Sequence, residues 1–504
     1  MTDSSKQIKM GAVLSYGMVL FNIICGLLYT PWMIRQIGKA DYGLYILVTS
    51  FLHYFVVDFG LWMAVNKILS RLRAEGREDE EKNVIGLTTK IYLCMDIVVC
   101  IVVIMAFFFI DRLFGNLTLD ELSRFKMAYL IAASFSVLSF PFGFLKGIFQ
   151  AHEYFIQTKL FDFATKIGIT LFTVLLLILN VGFYSLVIVY GAVPFILNVS
   201  RVIFLKKKGV TLNIHYNNKS MLKDIFSTSI WLFLIVLAEL FINNISPSLL
   251  AAFSDTTQIA IFGIGLTLNQ YVYTFAYSIN GLLLPRITNM SVKNDAEAIH
   301  ALTYKISRLQ LIVTGCITFG IILVGQSFIE TWVGPDFSAS YIVATALIIP
   351  QLLIHMQQVE NTQLFVNDKI RYRAFSMMAT GVFTIVSSVL LIPKLGAVGS
   401  AIAIAGSNFI IMFIVMNIVY HKHLGFSIRQ YLKELFPLFI AYCGIVVFYI
   451  LVCNTLLPSD LNGWAEVFVR GGIYMIGFII SMLIFTNSYE KKLFLSPFRK
   501  IIKR

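Results

Sequence analysis

Long uninterrupted apolar runs alternate with short polar segments along the whole chain. In the first half they fall near residues 11–34, 42–65, 84–110, 126–147, 160–180 and 184–205. A basic stretch follows, from Lys206-Lys207-Lys208 to Lys223. The remaining runs lie near 226–252, 257–284, 305–329, 341–365, 374–392, 397–420, 434–455 and 467–487. A helix needs about 20 apolar residues to cross a bilayer. The pattern therefore predicts an all-α integral membrane protein with about 14 transmembrane helices. A membrane barrel is excluded, because barrel strands alternate apolar and polar positions. The N-terminal segment MTDSSKQIKM runs into the first apolar stretch with no small-residue cleavage site, so a first spanning helix is expected there, not a removable leader.

Composition agrees. Hydrophobic residues make up 58% of the 504 and charged residues only 13%, against about 25% charged in soluble domains. The mean hydropathy is +0.80. A soluble enzyme, a disordered chain and a fibrous repeat are excluded. The net charge of +13 would suggest nucleic acid in a soluble protein. Here it reads as basic loops retained on the cytoplasmic side, and no nucleic-acid partner is expected. With the N-terminus inside, the inner segments hold Lys67, Arg71, Arg73, Arg77, Lys82 and Lys90, the linker lysines, Lys369, Arg371, Arg373 and the basic tail. Only Arg35, Lys39, Arg112, Arg124, Lys126, Lys394 and Arg470 fall outside. Both termini are then cytoplasmic. The six cysteines form no CxxC pair and read as small packing residues.

The chain also repeats internally. Pro31 matches Pro247. The segment Ala40-Asp41-Tyr42-Gly43-Leu44-Tyr45 resembles Asp255 to Phe262. The turn Asn180-Val181-Gly182-Phe183 matches Lys394-Leu395-Gly396-Ala397. The offsets are 216, 217 and 214 residues. Six helices per unit, each unit starting inside, define two parallel repeats, with two C-terminal helices outside them. Such repeats are typical of transporters. The expected organisation is a six-helix lobe over 1–205, a basic linker over 206–225, a second lobe over 226–420, and the last two helices with a basic tail over 421–504.

Polar side chains inside hydrocarbon mark cavities or helix contacts. Glu239, Asn243 and Ser246 share one helical stripe, and Asn269, Tyr273 and Asn280 another. Gln351, His355, Gln358 and Thr362 form a third. Asn243, Asn269, Tyr273, Gln351, His355 and Gln358 are candidate substrate contacts. Asp58, Asp96 and Glu239 are candidates for proton or sodium coupling, and His53 lies near the middle of its run. Asp162 and Lys166, four residues apart, are expected to neutralise each other. No Lys or Arg is expected at mid-depth in any helix. The candidate cations lie at helix ends: Arg35 outside, and Lys67, Lys146 and Arg286 inside, with interfacial anchoring as the alternative role. No phosphate-binding loop, metal-ligand set or catalytic constellation is present, so no enzyme activity and no cofactor are expected.

Three segments resemble a known family. They are the stretch from Pro31 to Tyr45, the pair Asp58-Phe59-Gly60-Leu61 and Asn66-Lys67, and the turn from Ile392 to Ala401. They look like the polysaccharide (O-antigen type) flippases of the multidrug/oligosaccharidyl-lipid/polysaccharide exporter superfamily. The resemblance covers nearly the whole chain. It implies a V-shaped, MATE-like transporter with alternating access in a bacterial cytoplasmic membrane. It also implies a substrate, an undecaprenyl-diphosphate-linked oligosaccharide for lipopolysaccharide or related glycan, and partners among the glycan polymerase and glycosyltransferases of the same pathway. A cation-coupled drug exporter of the same superfamily is the alternative. The chain departs from the related lipid II flippases, whose cavities carry central arginines, so the diphosphate is expected at the end cations or at helix N-termini.

Overall fold

The computed structural model describes residues 2–54, 60–280, 287, 288, 290, 291, 293, 295–457 and 461–491. Every regular element among them is helical. Eleven helices are long and apolar enough to cross a membrane among the described residues, fewer than the fourteen apolar runs. Local backbone chemistry accounts for much of the difference. The run over 42–65 is divided into α2 (Lys39–His53) and α3 (Leu61–Ala74). The two runs over 374–392 and 397–420 are joined in one long element, α15 (Ile370–Ser407), whose only non-helical residue is Gly396 at φ 55°. Gly182, the repeat-equivalent turn residue, also has positive φ (82°). Glycine takes this conformation without a Cβ penalty.

Two compact units share the chain. The first comprises 1–263 and 377–400. It contains α1 (Thr2–Ile37), α2, α3, α4 (Glu78–Leu113), α5 (Leu119–Ser139), α6 (Leu145–Ala151), α7 (Phe155–Ile178), α8 (Phe183–Lys207), α9 (Lys219–Asn243), α10 (Ile245–Phe253) and the start of α11 (Thr256–Asn280). Termini follow helix electrostatics. Four acids, Glu78 to Glu81, open α4, where the helix dipole favours negative charge. Thr118 and Glu121 form a reciprocal capping box at α5. The same Glu121 accepts a 2.6 Å hydrogen bond from the Thr256 hydroxyl, which ties α5 to the start of α11. The run expected over 126–147 is interrupted by a short 3-10 turn, Phe140–Phe142, that carries Pro141. The run over 226–252 is divided at Asn244.

The second unit comprises 264–376 and 401–504. It holds the rest of α11, α12 (Ala296–Trp332), α13 (Ala339–His355), α14 (Gln358–Val366), the start of α15, a π-helical segment (Asn408–Val415), α16 (Met416–Leu424), α17 (Ile428–Leu456) and α18 (Gly463–Phe485). Its centre is built on α12. Tyr442 of α17 stacks on Phe319 at 4.4 Å and donates to the Leu311 carbonyl at 2.9 Å. Gly315 leaves room for that phenol, since a Cβ there would lie 2.5 Å from the Tyr442 oxygen. The Arg308 guanidinium grips Glu490 at 2.6 and 3.0 Å.

The outer surfaces of both units are apolar. Phe108 on α4 is 74% exposed and Phe468 on α18 is 72% exposed, among many exposed Leu, Ile and Val. A soluble monomer does not present apolar surface on this scale. Hydrocarbon solvates it, and the helical backbone bonds leave few polar groups to satisfy there.

Candidate functional site

The polar chemistry of the first unit gathers in two places. One is the contact between α3 and α6. A Cβ at Gly147 would lie 2.5 Å from the Trp62 carbonyl oxygen, so only glycine permits this approach. The approach lets Asn66 Nδ2 donate to Gln150 Oε1 at 3.1 Å. It also seats Lys146 Nζ 4.1 Å from the centre of the Trp62 ring, a cation–π arrangement. Lys67 is exposed on the same helix as Trp62 and Asn66 and makes no hydrogen bond or ion pair with a described residue. Arg35 is exposed in the last turn of α1, likewise without such a partner.

The other place is a cavity of about 350 Å³ between α2, α5, α7 and α8. Its polar lining includes His53, Ser136, Ser139, Lys166 and Tyr190, and it contains no carboxylate. None of these five side chains has a hydrogen-bond partner among the described residues. Lys166 corrects two expectations. Its presumed partner Asp162 is taken by Arg201 of α8, whose Nη2 donates to the carboxylate at 2.7 Å. Lys166 is also near the midpoint of α7, which runs from Phe155 to Ile178. That places it roughly 17 Å from either end at 1.5 Å per residue, so a cation does lie at mid-helix. The sequence offered both Asp162 and Lys166. It could not show that a guanidinium 39 residues later in the chain reaches the acid first.

The other carboxyls chosen from the sequence differ in setting. Asp96 is half-buried in α4, and its Oδ1 is buried without a partner. Glu239 is half-buried in α9 and engaged with a neighbour. Asp58 and Arg286 lie outside the described residues, as does the side chain of Asn280. Asn243 is half-buried as the last residue of α9. Ser246 falls beyond the break at Asn244 and is fully buried against the Ser400 hydroxyl at 2.7 Å. It is a packing contact within the first unit, and the stripe expected through Glu239, Asn243 and Ser246 is not continuous.

In the second unit three expected residues meet. The Tyr273 and His355 rings lie 5.3 Å apart, and Gln358 Nε2 is 3.5 Å from His355 Nδ1. His355 is buried with its Nε2 unpartnered, and Asn269, one turn before Tyr273, is buried with its Oδ1 unpartnered. Gln351 is half-buried in α13. Sequence reading passed over Glu360, which is 1% exposed with both carboxyl oxygens unpartnered. It lies off the stripe through Gln351, His355, Gln358 and Thr362. The helix expected there as one piece breaks between His355 and Gln358, so the stripe does not continue as a single face.

An apolar-coated, all-helical chain with polar groups enclosed inside its units defines a multi-pass membrane protein, and its fold is that of known transporters. The structure of "Lipid II flippase MurJ, inward closed conformation" is similar with a TM-score of 0.68 at 14% identity, over 100% of each chain. An inward-facing multidrug resistance MATE family transporter of the MOP superfamily gives 0.63 at 12% identity, over 82% of this chain and 99% of its own. The Vibrio cholerae MATE transporter VcmN in its bent form gives 0.56 at 14% identity, over 86% and 100%. No curated protein matches the sequence. The profile of the family described as "Polysaccharide biosynthesis protein" matches residues 9–291, more than half of the chain, and the chain belongs to that family. The resemblance read from the sequence is borne out at the level of the family, and the fold agrees with it.

Proposed function

We propose that the protein flips an undecaprenyl-diphosphate-linked oligosaccharide, of the kind used for O-antigen and lipopolysaccharide, across a bacterial cytoplasmic membrane by alternating access, with both termini in the cytoplasm. The observation that carries this reading is the cavity around Lys166. It offers an ammonium, an imidazole and three hydroxyls without partners, and no acid. Such a set favours an anion, because each donor gains a bond and no carboxylate repels the ligand. A cationic drug would meet the opposite field, which favours the flippase over the drug exporter. Lys67, Lys146 and Trp62 are suited to collecting the headgroup at the inner end of α3 and α6, and Arg35 to releasing it at the other side. Tyr273, His355, Gln358, Gln351, Asn269 and Asn243 supply amide, imidazole and aromatic contacts for the saccharide.

The test is surface glycan per molecule of protein in a deletion strain complemented with Lys166→Gln or Lys166→Arg. Lys166→Gln is expected to lower delivery by about tenfold, equivalent to about 1.4 kcal/mol, and Lys166→Arg to retain most of it. Full delivery by Lys166→Gln at equal abundance would remove the cavity from the mechanism. Full glycan in the deletion strain itself would remove the flippase reading.

A further inference from the structure

Glu360 lies in α14, and none of the ion pairs among the described residues includes it. Its own backbone N–H and the Thr303 hydroxyl approach the carboxyl, but neither reaches ordinary hydrogen-bond geometry. An ionised carboxylate there, with no ion-pair partner and no hydrogen bond of ordinary geometry, costs far more than the uncharged acid. An unsatisfied buried carboxyl in a native fold calls for an explanation, and a proton-binding role is one.

The neighbours make the site specific. Thr303 comes from α12, and the phenols of Tyr304, Tyr420 and Tyr431, from α12, α16 and α17, are the titratable groups that feel Glu360. The charged side chains that act on those phenols are Arg373 on Tyr420 and Glu434 on Tyr304. Of the other cations on the surrounding elements, Lys422, Arg429 and Lys433 are exposed and three more are engaged elsewhere. Arg308 binds Glu490, Lys305 lies 3.6 Å from the Tyr489 ring centre, and Lys369 donates to the His423 carbonyl.

A chain of hydrogen bonds joins this shell to the π-helical segment Asn408–Val415. Asn417 Nδ2 donates to the Phe413 carbonyl at 2.7 Å, and Gln357 Nε2 donates to Asn417 Oδ1 at 2.8 Å. Tyr420 donates to Asn361, the residue after Glu360, at 2.8 Å. π-Helical turns are rare and recur at functional sites. A rearrangement of this segment would act on Asn417 and Tyr420, whose hydrogen bonds reach α14 and its flank at Asn361 and Gln357.

We propose that Glu360 is the proton-carrying site of the transport cycle and that the π segment is the element whose rearrangement opens it. The step is –COOH giving –COO⁻ and a proton to water, with no further reactant. The proposal rests on the transporter reading and goes beyond it in naming the coupled ion and the group that carries it.

The test uses the full chain in lipid nanodiscs and in cells. Infrared difference spectra between acidic and alkaline samples are expected to show a protonated-carboxyl band that disappears on alkalinisation and is missing in Glu360→Gln. In cells, stimulation of glycan delivery by the proton gradient is expected to be lost in Glu360→Gln and kept, with a shifted pH midpoint, in Glu360→Asp. The aspartate variant supplies the readout if the glutamine variant does not accumulate. The band persisting unchanged in Glu360→Gln, gradient stimulation surviving in it, or stimulation following sodium at constant pH would each overturn the proposal. Basal glycan delivery without a gradient reports on the flippase reading separately.

Discussion

Asp162 accepts a hydrogen bond from Arg201 Nη2 at 2.7 Å, and this leaves Lys166, one turn further along α7, without its nearest acid. Arg201 is held in place by two further contacts, a 3.2 Å bond to Asn198 Oδ1 and the Phe161 ring 5.6 Å from its guanidinium carbon. The pair thus keeps a mid-helix ammonium available to the cavity.

Arg201→Gln should release Asp162 to Lys166, since residues four apart on a helix can meet. Surface glycan per molecule is then expected to fall by about tenfold, the equivalent of about 1.4 kcal/mol in anion affinity. Adding Asp162→Asn should restore most of it, because the competing acid is gone. A double variant no better than Arg201→Gln alone would mean that Arg201 acts through packing and not through the charge of Lys166.

Much of this arrangement was legible in the chain, and the illegible part has a definite cause. The apolar runs gave the membrane-spanning class because lipid-facing residues such as Phe108 need no pattern beyond hydrophobicity. The turn glycines Gly182 and Gly396 marked equivalent positions because positive φ excludes most other residues. Pairing between helices was not legible. Periodicity assigns a residue to a face, but it does not say which neighbour faces it. Spacing alone therefore pairs Lys166 with the acid on its own helix. Glu360 escaped for a related reason: the interruption between α13 and α14 was not marked by glycine or by a proline at the break, so the stripe was drawn straight through it.

His152 provides a pH signature outside the spanning helices. Its imidazole Nε2 lies 2.7 Å from Glu81 Oε1, and Arg73 Nη1 approaches both groups. Burial lowers the imidazole below its ordinary value, and the Arg73 charge adds to this, with Glu81 opposing. Neutral His152 thus donates from Nε2 to the carboxylate. The unfolded chain binds a proton near the ordinary value of about 6.5, which the folded site resists. This contribution to stability is full above about pH 6.5 and declines as pH falls towards the lowered folded value. The apparent melting temperature of the purified protein should drop between about pH 7 and about pH 5, and His152→Gln should remove part of that slope. An identical slope in the variant would assign the acid sensitivity to other groups.

Lys146, Lys67 and Arg35 separate substrate capture from membrane anchoring. Lys146 faces the Trp62 ring, an interaction of about 0.5–2 kcal/mol depending on desolvation, and Lys67 is exposed on the helix that carries Trp62. If these two collect a diphosphate on the inner side, Lys146→Gln and Lys67→Gln should lower glycan delivery per molecule while leaving abundance unchanged. Trp62→Leu should have a smaller effect of the same sign, because it removes the platform and keeps the charge. Arg35→Lys should retain more delivery than Arg35→Gln, since either cation attracts phosphate but only Arg offers a planar fork. If the three cations only anchor helix ends, neutral variants should lower abundance and leave delivery per molecule normal. Quantifying surface glycan against membrane protein for Arg35→Gln, Lys67→Gln and Lys146→Gln decides between the two roles. Normal delivery per molecule in all three would confine headgroup recognition to the cavity around Lys166.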